Sequence, residues 1–318
     1  MKKVIVMLVV MAVAVGGLVG CGGGPTDSEM LQIGIVQFAP HPSLDNCREG
    51  FIEGMRLAGF GDDRVTFDYQ NANADMNLAN TIAQKMVADG ADLIVGIATP
   101  AAQAAFNAAI DTDIPIVFIA VSYPNAAGLT GHANVTGVSD VLQVDKQIAL
   151  IEALLPEART IGVLYNTGEV NSVRQVEMLG ESAERNGFEL VAATVTNVSD
   201  VMLALESLLP RIDVLVNVLD NTVVSAMPSV VDRCAEIGTP IIGSEDEQVR
   251  NGALASDGFD YIDVGKQSAE LAIRILNDER NIEFELVNET QIVINRTVVE
   301  TLGIEIPEEI ATIAQFVR

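Results

Sequence analysis

The sequence predicts an α/β protein built as two doubly wound lobes with a cleft between them. Three observations lead there. From Leu31 onward, short β-rich apolar runs alternate with helical runs, the pattern of parallel sheets covered by helices on both sides. A strand–helix order with four strands occurs once before about Gly137 and again after it, so two similar halves are expected. The run Leu93-Ile-Val-Gly-Ile97 is apolar without alternation, as suits a strand buried on both faces.

In chain order, Lys2 and Lys3 precede an unbroken apolar run from Val4 to Val15, followed by Leu18-Val19-Gly20-Cys21. A charged start, an apolar run and small residues before a cut read as a secretory signal over residues 1–20. The run is too short for a membrane span. Gly22, Gly23, Gly24, Pro25, Thr26, Asp27 and Ser28 make a flexible tether over 21–30. The domain then begins near Leu31. Strands are expected at Leu31–Val36, Val65–Tyr69, Leu93–Ile97, Ile116–Ala120, Thr160–Leu164, Glu189–Ala193, Val214–Leu219 and Ile241–Gly243. Helices are expected at Leu44–Ala58, Met76–Ala88, Ala101–Ile110, Leu142–Leu154, Ser172–Asn186, Val201–Leu209 and Val223–Ile237. Tyr261–Leu276 follows, with Val264, Leu271 and Ile275 on one face.

Composition narrows the function. The formal charge is −26, and a surface of that sign repels nucleic acid and anionic lipid, so no nucleic-acid partner is expected. Beyond the signal, lysine is confined to Lys85, Lys146 and Lys266. Such a surface keeps a protein soluble in salt, and a saline habitat is compatible with it. Hydrophobic residues make up 49% of the chain, which is not the composition of a disordered one. Cys47 and Cys234 sit inside separate helical patterns and are expected to be buried free thiols. His41 and His132 are the only histidines. With no His/Cys cluster, no metal site is expected.

In a doubly wound sheet, ligands sit beyond the carboxyl ends of the strands. Strand one ends in Gln37-Phe38-Ala39-Pro40-His41-Pro42-Ser43. Gln37, Phe38, His41 and Pro42 are candidate ligand contacts there, and Ser43 is a candidate helix cap. The third strand ends in Ala98-Thr99-Pro100-Ala101. Thr99 caps the next helix, or it seats an anion together with Pro100, Ala101 and the free NH groups of the helix start. Ser122 and Tyr123 bring a hydroxyl and a ring to the fourth strand end. The second half contributes Asn166, Glu169, Asn171 and Ser172 from one strand end, Asp220, Asn221 and Thr222 from another, and Ser244 from a third. Hydroxyls and aromatics on one rim, with carboxylates on the other, suit a zwitterionic α-amino acid. Its carboxylate would sit on Thr99 and Ser122, and its ammonium on Asp220. Asp220 can equally be a helix N-cap.

Several stretches together resemble a known family. They are Val-Gln-Phe-Ala-Pro-His-Pro-Ser-Leu-Asp, Ile-Ala-Thr-Pro-Ala-Ala-Gln, Asn-Val-Thr-Gly-Val-Ser-Asp, Ile-Gly-Val-Leu-Tyr-Asn-Thr-Gly-Glu-Val-Asn-Ser and Asp-Asn-Thr-Val-Val-Ser-Ala, with Gly252-Ala-Leu-Ala-Ser and Gly258-Phe-Asp-Tyr after them. In this order they look like the ABC-transporter substrate-binding lipoproteins of the tryptophan-binding type, across essentially the whole mature chain. The resemblance implies the type I periplasmic-binding-protein fold, with two Rossmann-like lobes joined by three crossovers and the ligand in the interlobe cleft. Crossovers are expected near Gly137, Gly252 and Asn281. These divide the chain into 31–139 with 252–281, and 140–251 with 282–318. The chain departs from the usual pattern at Phe38-Ala39-Pro40, where an acidic residue ordinarily precedes His-Pro.

Leu-Val-Gly-Cys resembles a bacterial lipobox, which implies cleavage before Cys21 and lipid on its sulfur. The expectation is a monomeric, lipid-anchored, extracytoplasmic receptor that captures an aromatic or large apolar amino acid for an ABC permease in the membrane. It would hold no cofactor and no catalytic residue. The alternative within the fold is a receptor for a sugar, a nucleoside or a similar solute, for uptake or sensing. An enzyme is less favoured: no nucleophile elbow, Walker loop or dinucleotide fingerprint follows any strand. A regulator would need a DNA-binding or transmembrane output segment, and none is readable.

Overall fold

A computed structural model of the chain describes residues 30–318. The expected signal segment, Cys21 and the tether up to residue 29 lie outside them. The first half runs β1 (Leu31–Gln37), α1 (Pro42–Leu57), β2 (Val65–Asn71), α2 (Met76–Ala88), β3 (Leu93–Ile97), α3 (Thr99–Ala109), β4 (Ile116–Ile119) and β5 (Val135–Ser139). β3, β4 and β5 are buried along their whole length, which is why the sequences of β3 and β4 read as apolar runs without alternation. Asp75 caps α2 by accepting from the NH groups of Asn77 and Leu78.

The second half continues with α4 (Val144–Leu154), β6 (Thr160–Asn166), α5 (Val170–Arg185), β7 (Glu189–Val195), α6 (Val201–Leu208), β8 (Val214–Val216), α7 (Asn221–Ser225), α8 (Met227–Ile237), β9 (Ile241–Ile242), α9 (Asp246–Arg250) and β10 (Ala255–Gly258). Then come α10 (Tyr261–Leu276), β11 (Glu285–Leu286), β12 (Gln291–Asn295), α11 (Arg296–Leu302), α12 (Glu308–Ile313) and β13 (Gln315–Val317). The single helix expected over 223–237 is two, broken at Ala226. Pro228 stands at the start of α8 and has no NH to continue the preceding turn.

Two sheets result. The first has the order β11-β5-β4-β3-β1-β2 and is parallel throughout. The second has the order β13-β12-β10-β9-β8-β6-β7 and is parallel except between β10 and β12. The winding reverses at β1/β3 in the first sheet and at β6/β8 in the second. A doubly wound sheet opens a crevice at such a point, beyond the strands' carboxyl ends. Each sheet has its own apolar core, one centred on Ile33, Ile94 and Phe118, the other on Ile161, Val214 and Ile242. Helix α10 returns to the first lobe and packs on α1 almost backbone to backbone. A Cβ on Gly50 would lie 2.1 Å from the Ile262 carbonyl, and one on Gly265 would lie 2.2 Å from that of Cys47.

The chain crosses between sheets three times, and the structure moves two of the expected crossings. The first follows β5, through residues 140–143. β10 pairs with β9 in the second sheet, so the return lies between Gly258 and Tyr261 rather than near Gly252. β11 pairs with β5 in the first sheet, so the last crossing falls between Leu286 and Gln291 rather than near Asn281. Gly252, at φ +113°, and Asn281, at φ +57°, make local turns. Cys47 and Cys234 are buried free thiols, as expected.

Candidate functional site

The two crevices face each other across a closed cleft. The first lobe supplies His41, Ser43, Leu44, Ala120, Ser122 and Tyr261. The second supplies Asn171, Leu219, Asn221, Val224, Glu245 and Gln248, and Asp140 stands at the first crossing. The space left is about 20 Å³, little more than one water molecule. Side chains bridge the lobes directly. Ser43 Oγ donates to Glu245 Oε1 at 2.9 Å, Gln175 Nε2 donates to Ser122 Oγ at 3.1 Å, and His41 Nε2 lies 3.5 Å from Asn221 Oδ1. A groove of about 780 Å³ beside Leu154, Pro240 and Ile304 is larger. It lies at the amino ends of β6, β8 and β9 and holds none of the buried unpartnered polar side chains, so the cleft is the stronger site.

The sequence candidates divide into those that line the cleft and those that brace it. His41, Ser122, Asn171 and Asn221 line it. Gln37 is buried behind, donating to the Ala39 carbonyl and to Asp45. Phe38 belongs to the first core, and Pro42 is exposed. Tyr123 crosses between lobes outside the cleft, its hydroxyl 3.3 Å from Met178 Sδ. Asn166 donates to Thr222 Oγ1 at 2.8 Å. Glu169 accepts from the backbone and side chains of Asn221 and Thr222. Ser172 is buried beside Asn171. Ser244 donates to the Asn217 carbonyl inside the second lobe. Asp220 caps α7: its Oδ1 accepts from Val223 N at 2.8 Å and its Oδ2 from Asn166 N at 2.6 Å. Both oxygens accept within its own lobe, and Asp220 is not among the residues that line the cavity.

The expected caps at Thr99 and Ser43 are replaced. Thr99 is the first residue of α3, with Ala98 at the cap position and no side-chain cap bond. One residue too far along to cap, the Thr99 hydroxyl is buried without a partner. Pro100 and Ala101 are buried beside it. Ala98 holds φ +76° and ψ 154°, a region that normally admits glycine alone. Ala120, at the end of the neighbouring β4, has φ +56°. Strained backbone therefore gathers at the carboxyl rim of the first lobe. Likewise α1 starts at Pro42 with His41 at its cap position, which frees Ser43 to reach across the cleft.

Asp140, Tyr261, Glu245 and Gln248 escaped the sequence reading. Asp140 ends a strand, β5, whose Gly137 interrupts the apolar run. A Cβ there would meet the Phe118 carbonyl at 2.1 Å. Asp140 accepts from Ser122 Oγ at 2.9 Å and from Tyr261 O–H at 2.6 Å. Glu245 caps α9 and receives Ser43. It was visible next to Ser244 at a strand end, and side-chain direction decided which of the two faces the cleft.

Asp140, Glu169, Asp220 and Glu245 are at most 2% exposed. Among the described residues, none of them pairs with Lys, Arg or His. Burial pushes the Glu245 carboxyl up to about 8. Burial and then the Asp220 charge push Glu169 up to about 7. Burial also raises Asp140 and Asp220, and it lowers the His41 imidazole to about 4. A closed, acidic, cation-free cleft is complementary to a cationic group on a bound solute.

Comparisons with known proteins agree with this architecture. The chain is 40% identical to a tyrosine-binding protein of Clostridioides difficile (strain R20291), over 96% of this chain and 93% of that one. An ABC domain from Streptococcus pneumonia, solved in complex with L-Trp, superposes with a TM-score of 0.86 at 33% identity, covering 91% of this chain and all of that one. The ligand-free, open structure of a substrate-binding protein with adhesive properties from Clostridium difficile is 41% identical, covers 91% of this chain and 99% of that one, and superposes at only 0.67. Although less identical, the L-Trp-bound protein superposes on this chain more closely than the open, ligand-free one does. The family model for ABC transporter substrate binding proteins matches residues 32–318, and the chain belongs to that family.

Proposed function

We propose that this chain is the solute receptor of an ABC importer and captures a zwitterionic amino acid with an aromatic side chain by closing its lobes. Members of its family are substrate-binding proteins, not enzymes, and they act outside the cytoplasm with a membrane permease. One observation carries the reading of the ligand. Asp140 and Glu245 line a closed cleft, and among the described residues no Lys, Arg or His pairs with either, so an ammonium from the ligand completes the site. The Thr99 hydroxyl, buried without a partner at the start of α3 though not among the cavity-lining residues, is the candidate seat for the ligand carboxylate. The tyrosine-binding relative and the L-Trp-bound neighbour support an aromatic side chain. Ammonium recognition falls on Asp140 and Glu245, with Asp220 as a cap behind them. Lipid on Cys21 and a monomeric state complete the proposal.

Calorimetry tests it. L-tryptophan or L-tyrosine should bind, while the deaminated acid and the methyl ester, each missing one charge, should bind at least tenfold more weakly. A deaminated acid that binds as tightly as its parent amino acid refutes the charge-pairing scheme.

A further inference from the structure

Two buried acceptors in the cleft have no donor. Seven buried side-chain polar atoms lack a partner among the described residues, and His41 Nδ1 and Asn171 Oδ1 are those that belong to cavity-lining residues. The neighbouring bonds fix what each atom can do. Asn221 Nδ2 donates to Glu169 Oε2 at 2.5 Å, so Asn221 turns its carbonyl oxygen toward His41. The imidazole Nε2 must then carry the proton, and Nδ1 is a bare lone pair. His41 is 6% exposed, and burial holds its ring neutral at physiological pH. Asn171 Nδ2 donates to the Leu219 carbonyl at 2.8 Å, which leaves Oδ1 as an acceptor too.

The two acceptors differ in their surroundings. Asn171 is tied to the carboxylate end of the cleft. It holds the Leu219 carbonyl, Gln175 holds the Leu219 NH, and Gln175 reaches Ser122, which donates to Asp140. Leu44, one turn along α1 from His41, and Val224, one turn beyond Asn221, line the cleft as well, while Asn221 ties His41 to Glu169. A buried acceptor in a cleft whose lining includes Leu44 and Val224 suits the polar end of an aromatic side chain. A buried acceptor left unpaired on closure costs binding free energy.

We propose that His41 is the specificity-determining residue of the cleft. Its Nδ1 accepts a hydrogen bond from the ligand's side chain, so an amino acid with a phenol or an indole is selected over phenylalanine. This rests on the amino-acid reading above and adds the side-chain class to it.

The test is calorimetry on the full mature domain with tyrosine, tryptophan, phenylalanine, O-methyltyrosine and 1-methyltryptophan. In the wild type, a donor-bearing ligand should bind about 10- to 100-fold more tightly than phenylalanine and than its own methylated form. His41→Phe keeps a ring and removes the acceptor. There the preference should shrink to within about threefold, through loss of affinity for the donor-bearing ligand. The methylated pairs need no variant, so the proposal stays testable if His41→Phe folds poorly. Phenylalanine binding as tightly as tyrosine and tryptophan to the wild type overturns the His41 role and leaves the amino-acid receptor standing. A preference unchanged in His41→Phe overturns it as well. If none of the five ligands binds, the amino-acid reading itself falls and this proposal falls with it.

Discussion

Glu245 links closure of the lobes to pH. In the closed cleft it is 1% exposed, and burial holds its carboxyl at about 8. When the lobes part, water returns and the carboxyl moves back toward the ordinary glutamate value of about 4.3. The closed form therefore binds the proton more tightly than the open form. Its advantage is complete below the open value and is lost as pH rises through about 8. Each pH unit across that window is worth about 1.4 kcal/mol, so the ceiling is about 5 kcal/mol. Residual water in the cleft reduces it. Glu245→Gln keeps an acceptor for Ser43 and removes the titration. Its amide nitrogen faces the Glu247 NH that Oε2 now receives, so α9 loses one cap bond, about 1 kcal/mol. Closure can be read by energy transfer between dyes on one introduced surface cysteine per lobe, since Cys47 and Cys234 are buried. The ligand-free wild type should open progressively from pH 6 to 9, and Glu245→Gln should open less over that range. Saturating ligand should suppress the wild-type opening, because its ammonium replaces the proton. Identical pH profiles for the two proteins would refute the assignment of this linkage to Glu245.

Four further outcomes are expected. Asp220→Asn should lower stability by about 1–3 kcal/mol, because an amide cannot accept from both Val223 and Asn166. Its ligand affinity should change less than its stability, as calorimetry and chemical denaturation together will show. Thr99→Val should leave the ligand-free melting temperature unchanged or raised, since the hydroxyl is buried without a partner. It should weaken binding by about 1.5–3 kcal/mol if that hydroxyl meets the ligand carboxylate. Ala98→Gly should relieve about 1–3 kcal/mol of backbone strain against about 0.5–1 kcal/mol of added chain entropy, raising the melting temperature by about 1–5 °C; a fall would refute the strain. Cys21→Ser should abolish incorporation of radiolabelled palmitate in cells, and persistent labelling would refute lipid attachment at Cys21.

The sequence by itself determined the layer architecture. The apolar runs at Leu93–Ile97 and Ile116–Ile119 are buried on both faces, and that period is a property of the local chain. The same patterning located the strand ends, and so His41, Ser122, Asn171 and Asn221 were legible as rim residues. Tertiary structure decided what each rim residue faces. Asp220 and Glu245 both follow apolar strands and both cap helices, yet only Glu245 meets the opposite lobe, through Ser43. Nothing local distinguishes them, because the difference depends on a partner 202 positions away in sequence. Asp140 was hidden for a related reason. Val135–Ser139 is stabilised as a strand by its neighbours β4 and β11 despite a glycine at its centre, so its end could not be read as a rim. The crossings after β10 and β11 depend on which sheet a two- to four-residue strand joins. Strands that short carry little periodicity, and long-range hydrogen bonding settles their place.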